Sequence, residues 1–305
     1  MEVRLTHLDG SLPNLALMRL SAFHKSQGHN VQLSRSPYRD LFEPKFDQVY
    51  GSAIFTRSKH LVEKLQTEFP GAIVGGTGTT SPAEIDDIDG GADEIDYSIY
   101  PKFKSSLGFT QRGCRLKCSF CVVPNKEGRN RSNLSVYDVW RGEPYPKELV
   151  LLDNDFFGQP DWEEKAKEII KGKFKVNFNQ GINARLIHEN GARYLAKMKY
   201  FDVQFKNRRL YTAWDNKRDE KIFFKGLKTL TDAGIRPGNI MVYMLVGYWP
   251  GETIDEVMYR FQKLKNAGVM PYPMCFDEKN KIMKRFQRWV VRRLYQFVPW
   301  EAYKA

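Results

Sequence analysis

Cysteine is scarce in this chain of 305 residues: there are four. Three of them fall between positions 114 and 121 and the fourth is Cys275, which does not read as a disulfide framework. No run of about 18 apolar residues exists, so no membrane span and no membrane partner are expected. Met1-Glu2-Val3-Arg4-Leu5 lacks the basic-then-apolar pattern of a signal peptide, and a reducing, cytoplasmic location is expected. Histidine is also rare, with five in all, and none lies near the clustered cysteines. No GxGxxG fingerprint opens the first strand–helix unit.

What is present is unevenly spread. Residues 1–100 hold 9 Lys/Arg against 14 Asp/Glu, a balance of −5, and the remaining 39 and 22 give residues 101–305 a balance of +17. A basic half points to a nucleic acid, a nucleotide or another polyanion as partner, with solvated surface charge as the plainer alternative.

Cys114, Cys118 and Cys121 are spaced C-x3-C-x2-C inside Gly108–Pro124. Thiolate clusters bind zinc, copper(I) or iron–sulfur centres. A structural zinc site takes four ligands, so zinc here would need Cys275 as the fourth. Buried structural thiols are the remaining reading.

The first hundred residues alternate strand and helix. Pro13–Gln27 carries a helical apolar stripe with Pro13 in its first turn and Gly28 just past its end. Gly75–Thr80 is a glycine-rich turn, and Ser81-Pro82-Ala83-Glu84 reads as a capping box opening a helix. Such alternation predicts a doubly wound, Rossmann-like parallel sheet over 1–100. About six further strand–helix units follow Phe103. Asp153 and Asn154 end one apolar strand, where a barrel keeps its chemistry. Asp161, with Glu164 three residues on, reads as the cap of helix 162–171. Gln180, Asn183 and Arg185 follow another strand and suit carboxylate or hydroxyl ligands. The strand Ile240–Val246 leads into Gly247-Tyr248-Trp249-Pro250-Gly251-Glu252-Thr253, with Thr253 and Glu256 as a capping box. In Lys279–Tyr295 seven basic residues interleave with Ile282, Phe286, Trp289, Val290 and Leu294, an amphipathic helix.

The cysteine spacing, with Phe120 just before the last cysteine, closely resembles the radical S-adenosylmethionine superfamily. The run Val122–Ser132 resembles its methylthiotransferase branch, and the Gly247–Thr253 turn resembles the superfamily's turn near the adenine. The resemblance implies a 4Fe-4S cluster on Cys114, Cys118 and Cys121, S-adenosyl-L-methionine on its open iron, and a flavodoxin- or ferredoxin-type electron donor. It implies cofactor contacts from Phe120, Asp153, Asn154, Gln180, Arg185, Gly247 and Glu252; no catalytic residue is implied. The expected architecture is α/β: a cobalamin-binding-like domain over 1–100, a partial (β/α)6 barrel over 101–278 and a basic helical tail over 279–305. Cobalamin itself is not expected, because the Asp-x-His-x-x-Gly loop is missing. The expected reaction is modification or isomerisation of a nucleic-acid base, as in bacteriophage members that rearrange amino-acid-decorated thymines in DNA, where the location is the host cytoplasm. The alternatives are a peptide or small-metabolite substrate, a tRNA methylthiotransferase-like reaction, or an iron–sulfur sensing protein without turnover.

Overall fold

A computed structural model describes residues 1–79, 83–91 and 94–304. The chain is α/β and divides into two units, Met1–Lys104 and Ser105–Ala305. The expected helix start at Ser81-Pro82 lies outside the described residues.

The first unit runs β1 (Glu2–His7), α1 (Leu15–Ser26), β2 (Asn30–Ser34), β3 (Gln48–Ser52), α2 (Lys59–Glu68), β4 (Ile73–Gly75) and α3 (Asp86–Asp89). Its four strands are parallel in the order β2-β1-β3-β4. Successive side chains of a strand point to opposite faces. Tyr50 therefore joins Val3, Leu5, Leu17 and Leu20 in one apolar cluster, while its neighbour Val49 joins Val62, Leu65 and Val74 in another. Helix α1 begins two residues later than Pro13 suggests. Asn14 is the cap: its Oδ1 accepts from Leu17 N at 3.1 Å, and its Nδ2 donates to Ser52 Oγ at 2.8 Å.

The second unit opens with β5 (Ser106–Gly108), β6 (Gln111–Arg112), α4 (Val123–Lys126), β7 (Arg131–Ser132), α5 (Val136–Val139) and β8 (Glu148–Leu151). It continues with α6 (Trp162–Lys171), β9 (Lys175–Phe178), α7 (Glu189–Lys197), β10 (Lys199–Tyr200), β11 (Leu210–Ala213) and α8 (Glu220–Asp232). Last come β12 (Ile240–Val246), α9 (Ile254–Asn266), β13 (Met270–Cys275) and α10 (Lys281–Val291). The strands form two parallel sheets, β10-β9-β8-β5 and β11-β12-β13, plus the antiparallel pair β6–β7. Ile182 N donates to Tyr211 O at 2.8 Å, bridging the segment after β9 to β11.

One hydrophobic cluster serves both sheets of this unit. On β12, Ile240, Val242, Met244 and Val246 are fully buried, and Met241, Tyr243 and Leu245 on the opposite face are only half-buried. Helix α10 docks on that cluster through Met283, Phe286, Trp289 and Val290. Its Lys281 and Arg288 are exposed. The capping box of Thr253 and Glu256 is present on α9. Asp161 does not cap α6: its carboxylate accepts from Ser132 Oγ instead, tying the helix start to β7.

Candidate metal centre

The three clustered cysteines sit on the connection between β6 and α4, and β7 closes its far side. Pairing of Gln111 with Ser132 and of Arg112 with Arg131 pins both ends of the loop. The turn needs glycine at 113: its φ is +76°, and a Cβ there would collide with the carbonyl of Arg129. Gly113 N donates to Glu127 Oε2 at 3.0 Å, and Cys114 N to Gly128 O at 3.3 Å.

Two carboxylates after β8 hold this loop in place. Asp155 takes Arg115 in a fork, Nε at 2.6 Å and Nη2 at 2.9 Å, and accepts from Asn130 Nδ2 at 3.2 Å. Bidentate pairing fixes orientation as well as distance. Asp153 accepts from Thr110 N at 2.7 Å, Thr110 Oγ1 at 2.5 Å and Gln111 N at 3.0 Å. Burial pushes the Asp153 carboxyl up to about 7, against three donors that pull it down.

The loop thereby brings Cys114, Cys118 and Cys121 to one cavity of about 130 Å³. All three are free thiols and partly exposed. Burial raises the pKa of Cys114 and of Cys121. The cavity is also lined by Asn154, Gln180, Asn183 and Arg185. Asn154 Nδ2 donates to Glu127 Oε2 at 2.9 Å, the oxygen that also takes Gly113 N. Burial lowers Arg185, but its pairing with Asp219 and the nearby Cys118 raise it further, to a net rise above its ordinary range. Its Nη1 lies 2.5 Å from Asp219 Oδ2.

No family model, curated protein or solved structure matches this chain. Among the described residues, no group of three or more His, Cys, Asp or Glu is placed to hold a metal ion. Cys275 does not line the cavity; its Sγ donates to Asp277 O at 3.1 Å. A zinc tetrahedron completed by Cys275 thus lacks its fourth corner. The three thiols line one void whose lining, among the described residues, includes neither a fourth cysteine nor a histidine.

Phe120, Asp153, Gly247 and Glu252, expected as cofactor contacts, do not line this cavity. Asp153 is 3% exposed and turned to Thr110 and Gln111, so it positions the loop and does not reach the cavity. Glu252 is buried in an ion pair with Arg260 at 2.5 Å and accepts from Gly247 N at 2.7 Å. Gly247, with φ of +75°, shapes that turn and does not line the cavity. Phe120 also lies off the cavity lining: its ring meets Tyr248 edge-on at 5.5 Å and Trp249 at 6.3 Å. Trp249 Nε1 in turn donates to Asp215 O at 2.7 Å. These rings brace the cysteine loop against the turn after β12.

Thr212 and Tyr243 line the cavity without having been expected there. The alternation along β12 carries the signal for Tyr243, since Val242 and Met244 belong to the helix-covered face.

Proposed function

We propose that this chain is a radical S-adenosylmethionine enzyme whose 4Fe-4S cluster is held by Cys114, Cys118 and Cys121. The observation that carries the reading is the convergence of these three thiols on a cavity shared with Asn154, Gln180 and Arg185. The two sheets of the second unit suit the partial barrel of that superfamily, and the parallel sheet of the first suits a Rossmann-like domain.

When bound, such a cluster supplies the electron that splits the sulfonium of S-adenosylmethionine, leaving methionine and a 5′-deoxyadenosyl radical. The chain's own residues do the rest by binding and orientation. Arg185 presents a fixed cation beside Cys118, suited to the methionine carboxylate. Asn154, Gln180 and Asn183 offer amide donors and acceptors for its amino group and the ribose hydroxyls. Asp155, through Arg115, keeps the loop in register without touching the cofactor. The excess of cations in residues 101–305 supports a nucleic-acid base as substrate.

The test is anaerobic reconstitution with iron and sulfide, followed by 5′-deoxyadenosine release from S-adenosylmethionine under dithionite. The expected outcome is about four irons per chain and measurable release, both lost in C114A, C118A and C121A. Zinc in place of iron, or a full cluster with no release, overturns the enzyme. Mass spectrometry of nucleosides from producing cells reads the substrate.

A further inference from the structure

The outer face of α10 carries a second cavity, of about 520 Å³, distinct in its lining from the thiol cavity. Four cations line it, Lys281, Lys284, Arg285 and Arg288, with Glu278 and Ile282. Positions i, i+3, i+4 and i+7 share one face of a helix, so the four form a single stripe about 10 Å long. Glu278 stands 4.0 Å from Lys284 Nζ and leaves the groove with net positive charge.

The stripe is rigidly mounted. The opposite face of α10 is buried in the core of the second unit. Arg285 is clamped over the Trp300 ring at 4.2 Å and donates from Nη2 to Trp300 O at 3.0 Å. Its Nε is buried and has no hydrogen-bond partner among the described residues. A buried guanidinium N–H left without an acceptor is costly, so the packing that holds Arg285 against Trp300 outweighs that cost.

We propose that this groove binds the phosphodiester backbone of a single nucleic-acid strand. Its length exceeds the reach of one phosphate group and suits successive phosphates. A lipid surface fits less well, because insertion needs a free apolar face and that face of α10 is already covered. The buried face and start of α10 pack on the turn that braces the cysteine loop. Met283 and Asn280, at the start of α10, pack within 4 Å of where a Cβ would stand on Gly247. Phe276 meets Tyr248 at 4.8 Å, and Tyr248 meets Phe120 at 5.5 Å. A strand held on α10 is thus fixed to a helix that packs on that turn. The inference rests on the nucleic-acid part of the proposed function and is independent of the radical chemistry.

The experiment measures fluorescence anisotropy of a labelled oligodeoxythymidine strand against salt, with the full chain free of cluster. The variants are K281Q/K284Q/R288Q and, as a charge-matched control on α6 and α7, K167Q/K171Q/K197Q, whose lysines are all exposed. Each phosphate contact contributes about 0.7 to the slope of log affinity on log salt, so loss of three contacts lowers the slope by about 2 and weakens binding at least about tenfold. The control is expected to match wild type. An unchanged slope in the groove variant, or an equal loss in the control, overturns the site. So does full displacement of the strand by one equivalent of a nucleoside triphosphate, or binding to phosphatidylserine vesicles in place of the strand. Release of 5′-deoxyadenosine without substrate is measured on both proteins after cluster loading. Absence of release from both sinks the reaction while leaving the binding result standing.

Discussion

Asp153 and Asn154 are adjacent and do opposite things. Asn154 lines the thiol cavity, whereas Asp153 turns away and ties Thr110 and Gln111 to the end of β8. Both lie at a strand's polar end, and the sequence marks that end without saying which side chain turns inward. The buried carboxyl also makes stability pH-dependent. Its pKa is raised on folding to about 7, so the folded chain binds this proton more tightly than the unfolded chain does. Stability from this group is therefore full below the ordinary carboxylate range and is lost as pH rises through about 7. The full effect is on the order of 4 kcal/mol. D153N keeps an oxygen for the two backbone N–H groups and offers its amide to the Thr110 hydroxyl. It is expected to fold and to flatten denaturant midpoints between about pH 4 and pH 7; a slope equal to wild type across that range removes Asp153 as its source.

The turn from β12 to α9 holds a contact that its local pattern does not announce. Gly247–Thr253 resembles a cofactor-binding turn, yet Glu252 is held by Arg260, eight residues later on α9. Arg260 also donates to Trp214 O at 3.0 Å and to Leu245 O at 2.8 Å. Nothing local announces that capture, because it depends on α9 folding back over β12. The capping box at Thr253 was legible, since both its partners lie within one helical turn. The two contacts differ in size. E252A leaves a buried guanidinium without its carboxylate and is expected to cost about 3–5 kcal/mol, whereas T253A loses one cap, about 1 kcal/mol. Urea midpoints of the two variants check the order. Near-equal losses would mean that Arg260 finds a substitute acceptor.

At the scale of the molecule, the parallel alternation in both units was legible because buried parallel strands leave continuous apolar runs between helical stripes. So was the cysteine trio, whose spacing is local. The side chains that complete the cavity come from the ends of β8 and β9 and from β11 and β12, and only the juxtaposition of the two sheets gathers them. Every residue lining the thiol cavity belongs to the second unit. Cys275 belongs to that unit as well but stands apart, half-buried at the end of β13. Its isolation turns the protein into its own counting device. Exhaustive alkylation of native chain should tag four sulfurs before loading and one afterwards, so intact mass alone reports how many molecules are filled; a single tag that maps anywhere but Cys275 would mean the wrong three had been protected.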